Sequence, residues 1–396
     1  MNRTPADPAP PPRVSMRETV PYIDDFVHVN SAAGSLADQS VYRAIAAHLE
    51  LEARCGNTEA RLAITPQLHT LYAGLAQLTT VPADRISLAD SHTSAWQKAF
   101  QAVPLGEGDR ILVGETEWGG NLSAIWWRCR AVGAVVDIIA ADSTGAIDPA
   151  ALSAMLDERV RMVCVTLAPA VNGLVNPIGA IVDALCAHPA WLFVDASQAF
   201  ANVVTDLSEP RIDVATVSAR KYLRAPRGTG FATYSRRFLD QIVPIGIDQM
   251  SGPWHGDHPV PLSDARKFEF METSFAMRMG MKAAVEVALS RDLAQDMARI
   301  AELADHARSA LSELPEVTVH DTYDDLSGIV TFTHSRIAPT RIQSELQRKK
   351  INVAAPQEPY GPLWIRAGHP PTTRISPHAF NTHAEIDMAV AAIAAS

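Results

Sequence analysis

Short apolar runs alternate with amphipathic stretches between about residues 60 and 240. Several of these runs are continuously apolar rather than alternating with polar residues, which is typical of parallel strands buried on both faces. Stretches with helical periodicity, such as 148–158 and 178–188, lie between them. This βαβ rhythm predicts a doubly wound α/β fold with helices on both faces of a mostly parallel sheet. The predicted buried strands lie at 110–115, 134–140, 160–167, 191–197 and 214–219.

The pattern changes after about residue 260. A long helical region is predicted over about 283–314, followed by short strands and two further helical stretches, at 339–349 and 383–394. This order predicts a smaller, C-terminal α+β domain. The predicted division of the chain is a proline-rich tail over 1–20, a segment over 21–55 that joins the small domain, a large cofactor-binding domain over 56–282 and a small domain over 283–396.

Composition and charge narrow the class of protein. The 396 residues are 47% hydrophobic and 20% charged, as in an ordinary globular protein with a sizeable core. The net charge of −10 argues against binding to nucleic acid, which needs a basic surface. No apolar run is long enough for a membrane span, and the start of the chain lacks the apolar core of a signal peptide. We therefore expect a cytoplasmic protein with neither a nucleic-acid nor a membrane partner.

Neither the cysteines nor the histidines predict a metal site. His255 and His258 have no cysteine or carboxylate at metal-binding spacing, so we expect a mobile active-site loop there and no bound metal. No C-x-x-C pair is present, which predicts reduced, mostly buried thiols rather than a zinc site or a redox dithiol. The four cysteines are Cys55, Cys129, Cys164 and Cys186.

An acid and a lysine follow the ends of two predicted strands. Asp195 ends the apolar run "WLFVD", and Gln198 comes three residues later. A carboxylate at the end of a buried strand is costly unless it meets a cation or a hydrogen-bond donor. Lys221 follows Ser218 in "VSARKYL", ahead of a turn rich in Gly, Pro and Arg. This segment lies at the end of a later strand, about the second after the one that ends at Asp195.

A phosphate site is predicted where Ser91, His92 and Thr93 precede a helix, because free backbone N–H groups and hydroxyls at a helix N-terminus suit an anion. An acid, a lysine and a phosphate site at one edge of an α/β sheet match the needs of pyridoxal phosphate. The lysine forms a Schiff base with its aldehyde, and the acid keeps its ring nitrogen protonated. We therefore predict Lys221 and Asp195 as catalytic residues. The alternative for Lys221 alone is a surface lysine ahead of a turn.

The segments from "VHVNSAAGSLADQSV" to "TRISPHAFNTHAEID" resemble the class V aminotransferase and cysteine desulfurase family of fold-type I pyridoxal-phosphate enzymes. The resemblance covers nearly the whole chain after the tail, and it implies a mostly parallel sheet of the seven-stranded type. It implies an amino-acid substrate and a homodimer with the active site at the subunit interface. It also implies that Asp195 pairs with the pyridinium, Gln198 with the phenolic oxygen, and Ser218 and Thr93 with the phosphate. Arg220 stands where the family usually has histidine, and it should still bind phosphate.

The same resemblance assigns residues outside the sheet edge. Trp118 in "GETEWGGN" is expected to stack on the cofactor ring, with a core tryptophan as the alternative. Thr273 is expected to reach the phosphate of the neighbouring subunit. Arg374 matches the arginine that binds the substrate α-carboxylate, with a solvated strand arginine as the alternative. Asn30 and Asn172 are candidate substrate contacts, although Asn172 is shifted by one position from the family's asparagine.

One departure from the family bears on the reaction. Cysteine desulfurases carry a nucleophilic cysteine before the carboxylate-binding arginine, and the stretch 351–376 contains none. Hercynylcysteine sulfoxide lyases are resembled by the segments "HVNSAAGS", "EWGGNLSA", "SARKYLRAPRGTGF" and "TTRISPH". Isopenicillin N epimerase-like enzymes are resembled by "PRGTGF" and "KFEF". We predict a carbon–sulfur β-lyase acting on an α-amino acid. A class V aminotransferase or an amino-acid epimerase is the alternative, and a non-catalytic protein with the same fold is disfavoured. The role of Arg227 stays open.

Overall fold

The computed structural model describes residues 15–323 and 325–396. Its α-helices are α1 Gln39–Cys55, α2 Asn57–Ala63, α3 Thr65–Thr79, α4 His92–Ala102, α5 Gly119–Val132, α6 Pro149–Met155, α7 Ile178–Leu185, α8 Arg236–Gln241, α9 Phe275–Leu289, α10 Leu293–Ser312, α11 Pro339–Arg348, α12 Pro362–Arg366 and α13 His383–Ala394. Its strands are β1 Val27–His28, β2 Ile86–Ala89, β3 Arg110–Gly114, β4 Val135–Ile139, β5 Val160–Thr166, β6 Trp191–Asp195, β7 Val214–Ser218, β8 Gly230–Tyr234, β9 Trp254–His255, β10 His258–Pro259, β11 Val317–Val319, β12 Val330–His334, β13 Ile351–Asn352 and β14 Thr373–Ile375. Short 3-10 helices lie at Arg17–Thr19, Ala83–Arg85, Ala265–Phe268 and Glu358–Tyr360. None of the helices within these residues is long and apolar enough to cross a membrane.

A seven-stranded sheet in the order β2-β8-β7-β6-β5-β3-β4 forms the centre of the chain. The pairs among β3 to β7 are parallel, and β8 alone runs against its neighbours β7 and β2. The predicted mostly parallel α/β sheet is therefore confirmed. The seven strands that the family resemblance implies are present, although the apolar runs located only five of them and missed β2 and β8.

Alternate residues of the central strands pack on opposite faces of the sheet. In β3, Ile111 joins the apolar cluster that contains Trp96 and Phe100 of α4. Its neighbour Leu112 joins the cluster on the other face, which contains Leu71 of α3. Because helices cover both faces, every position of such a strand is apolar, which explains the continuous runs in the sequence.

Two details of the prediction are wrong. The strand at 134–140 was expected to be buried, but β4 is the edge strand, and Val135 and Ile138 are 46% and 47% exposed. The single helical region over 283–314 is two helices, because α9 ends at Leu289 and α10 begins after Asp292. The Asp292 side chain caps α10 by accepting a hydrogen bond from the backbone N–H of Gln295.

A second, smaller sheet in the order β11-β12-β14 lies in the C-terminal part and packs with α10, α11 and α13. The N-terminal strand β1 pairs in parallel with β13, next to this sheet. The predicted domain boundary at 282/283 falls inside α9, and the division into domains stays a prediction.

The carboxyl ends of β6 and β7 meet the start of α4 at one edge of the large sheet. Asp195 is the last residue of β6, and Ser218 is the last residue of β7. These two strands are consecutive in the chain and adjacent in the sheet, whereas the prediction placed about one strand between them. Helix α4 begins at His92, so His92 and its successor lie in its first turn instead of preceding it. Gly230 of β8 allows this approach, because a Cβ there would lie 2.6 Å from the backbone carbon of Ser91.

Candidate active site

A cavity of about 580 Å³ opens at this edge of the sheet, within the usual size range of small-molecule sites. A larger groove of about 860 Å³ lies elsewhere, beside Arg224 and α10, and contains none of the predicted site residues. The predicted residues that line the 580 Å³ cavity are Asn30, His92, Thr93, Trp118, Asp195, Gln198, Ser218, Arg220, Lys221 and Arg374, and Arg227 lines it as well.

Lys221 is the single lysine in the lining of this cavity. The sequence contains six lysines, all within the part of the chain that the structure describes, and the other five lie elsewhere. Desolvation is the main reason that the pKa of the Lys221 ammonium is lowered to about 7; the charge of Asp195 opposes this shift, and the guanidinium groups of Arg220 and Arg374 contribute to it. A large share of Lys221 is therefore a neutral, nucleophilic amine near neutral pH.

Asp195 lines the cavity and is buried, with 5% of its surface exposed. Its Oδ1 accepts a hydrogen bond of 2.9 Å from the backbone N–H of Ser197. Its Oδ2 lies 3.2 Å from Nε2 of His92. His92, predicted as a phosphate neighbour or as part of the cavity wall, lines the cavity with its ring against this acid. A buried carboxylate with these two partners can also pair with a cationic ligand atom in the cavity.

The start of α4 also lines the cavity and presents groups that can bind an anion. Ser91 caps the helix by accepting a hydrogen bond of 3.0 Å from the backbone N–H of Ser94. The first N–H groups of a helix have no partner within it, which suits a phosphate. Arg220 also lines the cavity and is held in place by a hydrogen bond to the carbonyl oxygen of Ala33.

Arg374, on β14, faces the cavity from the small sheet. It is 4% exposed, and its Nη1 donates a hydrogen bond of 2.8 Å to the carbonyl oxygen of Ala170. Burial lowers the pKa of Arg374 to about 10, so the guanidinium is still charged at neutral pH. Its Nε has no hydrogen-bond partner within the described part of the chain. These features leave a buried cation with unused donors, which can bind a carboxylate.

The cavity fits pyridoxal phosphate. Its amine suits the aldehyde of this cofactor, its carboxylate suits the ring nitrogen, and its helix N-terminus and arginines suit the phosphate. Several buried polar atoms of its lining have no partner among the described residues, as expected for a site completed by a polar ligand. These atoms are Asn30 Oδ1, His92 Nδ1, Gln198 Oε1 and Arg374 Nε.

Two predicted residues lie outside the cavity lining. Asn172 is buried, and its Oδ1 accepts a hydrogen bond from the backbone N–H of Leu174. Thr273 donates a hydrogen bond of 2.7 Å to Asp90, which itself lines the cavity. The contact of Thr273 with a neighbouring subunit, and the homodimer itself, stay predictions.

Sequence reasoning missed Tyr360, Glu117 and Asn121. Tyr360 lines the cavity, and its ring lies 5.3 Å from that of Trp118, centroid to centroid. Glu117 and Asn121 lie behind the cavity in "ETEWGGN" and are almost fully buried. The sequence signal that could have indicated Glu117 and Asn121 is their spacing: they are four residues apart and flank Trp118, the predicted stacking residue.

The cysteines and the histidines of the 255–258 segment do not line this cavity. Cys129 and Cys164 are buried, while Cys55 and Cys186 are exposed, so the prediction of mostly buried thiols holds for only half of them. None of the four lines the cavity, and all are among the described residues. The exposed β9–β10 hairpin carries His255 and His258, and neither lines the cavity. Across residues 15–323 and 325–396, no group of three or more His, Cys, Asp or Glu side chains is placed to hold a metal ion.

Comparison with known proteins agrees with this fold. The family model of "Aminotransferase class-V" matches residues 27–388. A probable hercynylcysteine sulfoxide lyase of Mycobacterium tuberculosis is 28% identical over 374 residues, 93% of this chain and 90% of that protein. A cysteine desulfurase of Haloferax volcanii is 26% identical over 300 residues, 74% of this chain and 69% of that protein. A solved structure of a C-DES mutant with glycine covalently linked to the PLP cofactor shares the fold, with a TM-score of 0.87, 19% identity and coverage of 96% of this chain and 99% of that one.

The fold, the cavity and these matches define a pyridoxal-phosphate-dependent enzyme. The buried amine, the buried carboxylate and the helix N-terminus in the cavity are chemically suited to such a cofactor. The chain belongs to the class V aminotransferase family, and its cofactor is pyridoxal 5′-phosphate.

Proposed function

We propose that this enzyme is a carbon–sulfur β-lyase, which releases a sulfur-containing group from the β-carbon of an α-amino acid. The positions of the four cysteines carry the proposal. Sulfur transfer by a desulfurase needs a thiolate in the site, whereas the cavity lining contains no cysteine. The similarity to a probable hercynylcysteine sulfoxide lyase, which extends over 93% of the chain, supports the same reaction.

The cofactor would be held from three sides. Lys221 would hold its aldehyde carbon through Nζ, and Asp195 would pair with its ring nitrogen. Thr93, Ser218 and the first turn of α4 would hold its phosphate. When bound, this cofactor withdraws electrons from the α-carbon of an amino acid and so makes its proton acidic.

The residues of the chain then bind the substrate and move one proton. Arg374 holds the α-carboxylate, which orients the α-hydrogen toward Lys221. Lys221 accepts that proton, and a pKa near 7 suits a general base at neutral pH. The bond between the β-carbon and sulfur then breaks, and the sulfur group leaves with the bonding electron pair and takes up a proton. The 2-aminoacrylate that remains is hydrolysed by water to pyruvate and ammonia.

Product analysis tests the reaction type. We expect the holoenzyme, given S-substituted cysteine sulfoxides and no keto acid, to release pyruvate and ammonia in equal amounts together with a sulfur product. The Lys221→Ala variant serves as the blank. A keto acid formed only with an added amino acceptor would show an aminotransferase instead. Alanine formed from cysteine would show sulfur transfer, and α-deuterium exchange in heavy water without elimination would show an epimerase.

Attachment of the cofactor to the apoprotein should depend on pH through Lys221. The neutral amine is the nucleophile, and desolvation lowers the pKa of Lys221 from 10.5 to about 7. We expect the rate constant for the appearance of the visible absorbance band, measured by stopped-flow mixing with pyridoxal phosphate, to rise through pH 7 and to level off well below pH 10. A rate that keeps rising to pH 10 would mean that an ordinary lysine reacts.

Replacement of Arg374 by Lys should weaken substrate binding. A lysine keeps the charge but loses the forked pair of donors that matches a carboxylate. We expect KM for the amino acid to rise about ten- to a hundredfold, the range that a hydrogen bond to a charged group contributes, with a smaller change in kcat. Steady-state kinetics test this, with the exposed Arg366→Lys as the control. Equal KM values for the two variants would remove Arg374 from the substrate site.

A further inference from the structure

A chain of buried polar side chains stands behind Asp195. Glu117 lies just before α5 and Asn121 in its first turn, and they are 1% and 2% exposed. Asn121 Nδ2 donates a hydrogen bond of 2.7 Å to Glu117 Oε1. Asn121 Oδ1 lies 3.2 Å from His92 Nε2, and the same nitrogen lies 3.2 Å from Asp195 Oδ2. We call Glu117, Asn121 and His92 the buried relay.

The hydrogen-bonding groups fix the direction of this relay. The oxygen of Glu117 is the acceptor, so the Asn121 amide turns its nitrogen to Glu117 and its oxygen to the imidazole. Both oxygens that face His92 Nε2 are acceptors. His92 therefore carries a hydrogen on Nε2, which lies between Asn121 and Asp195.

The charges around His92 favour this neutral tautomer. Burial lowers the pKa of His92, and the nearby cations Lys221 and Arg220 act in the same direction, while Asp195 and Asn121 oppose them. Burial, together with the negative charge of Asp195, raises the pKa of the Glu117 carboxyl to about 7. The members of the relay are at least nine-tenths buried, so water does not replace any of these contacts.

We infer that the buried relay positions Asp195. The amide of Asn121, held by Glu117, fixes the imidazole ring, and the ring holds Oδ2 of the aspartate. The backbone N–H of Ser197 already holds Oδ1, so the carboxylate keeps one orientation in the cavity. The inference rests on the proposed pairing of Asp195 with the cofactor ring nitrogen, and it assigns to His92 a role in orienting that acid rather than in binding phosphate.

A matched pair of substitutions at His92 tests the relay. Phe keeps the planar shape and removes the donor, whereas Gln keeps an N–H group near the position of Nε2. The holoproteins are prepared with pyridoxal phosphate labelled with ¹⁵N in the ring, because the ¹⁵N chemical shift reports directly whether the ring nitrogen is protonated. We expect a protonated ring nitrogen in the wild type and in His92→Gln, and a largely unprotonated one in His92→Phe.

Cofactor affinity gives an independent measurement. We expect the dissociation constant of pyridoxal phosphate, measured by quenching of tryptophan fluorescence in the apoprotein, to rise at least about tenfold in His92→Phe and to be mostly restored in His92→Gln. Asn121→Leu should act like His92→Phe and keeps the test decisive if the phenylalanine variant does not fold. Glu115→Gln is the control, because Glu115 lies two residues from Glu117 but contacts His369 instead of the relay.

The outcomes separate this inference from the proposed role of Asp195. If Asp195→Asn loses the ring proton while His92→Phe and Asn121→Leu keep it, the relay does not position the acid. Equal losses in His92→Phe and His92→Gln, at equal thermal stability of the apoproteins, would also overturn the inference. If Asp195→Asn itself keeps the ring proton, the proposed pairing of Asp195 fails first.

Discussion

Lys221→Ala is expected to abolish covalent attachment of the cofactor and to lower kcat at least about a thousandfold. The substitution removes both the amine that holds the aldehyde and the base that accepts the α-proton, and residues that act in several steps have effects of this size. Because Lys221 is the single lysine lining the cavity, no other lysine side chain is positioned there to react with the aldehyde. The absorbance spectrum of the purified protein and steady-state elimination kinetics measure the two effects.

The control for this variant is Lys98→Ala. Lys98 is also partly desolvated, which lowers its pKa, but its ammonium lies over the ring of Phe270, outside the cavity lining. We expect this control to keep the visible band and its bleaching by borohydride. A Lys221→Ala protein that keeps a borohydride-sensitive band would mean that another lysine carries the cofactor.

Asp195→Asn is expected to lower kcat/KM at least about a hundredfold while the protein stays folded. The asparagine has the same shape, and its oxygen can still accept the hydrogen bond from the backbone N–H of Ser197. It lacks the negative charge that stabilises a protonated ring nitrogen, and one preorganised electrostatic partner is worth about this factor. Kinetics and thermal unfolding of the same preparations test both halves of the prediction.

Asp213→Asn is the matched control for a buried aspartate. Asp213 is fully buried and pairs with Arg211 at 2.8 Å and Arg237 at 2.6 Å, far from the cavity lining. We expect it to lower the thermal midpoint more than Asp195→Asn does, because a buried ion pair loses one partner, and to affect kcat/KM less. The opposite order of effects would assign Asp195 a structural role.

The sequence predicts the middle of the sheet well because the pattern is local there. Strands covered on both faces are apolar at every position, and β3, β5, β6 and β7 begin at the predicted residues or within one of them. The place of β4 at the edge follows from the strand order, which the run "AVVDIIA" does not encode. Strand β8 is antiparallel to both of its neighbours and so breaks the βαβ pattern. Its five residues, Gly230–Tyr234, cannot be told from other short apolar segments by sequence alone.

The candidate site divides in the same way. Asp195, Ser218 and Lys221 were predictable because they end or closely follow parallel strands, whose carboxyl ends lie on the same side of the sheet. The contact between His92 and Asn121 joins residues 29 apart on two different helices, and only the packing of α4 beside α5 brings them together. Asn172 shows the limit of motif matching, because a shift of one position along the chain leaves its side chain outside the cavity lining.

The most direct test of this account locates the cofactor on the chain. Holoenzyme is reduced with borohydride, which makes the bond between the cofactor and its lysine permanent, and is then digested and analysed by peptide mass spectrometry. We expect the pyridoxyl phosphate mass on the peptide that contains residue 221 and on no other. A modified peptide carrying any of the five remaining lysines, or an unmodified protein, would contradict the account.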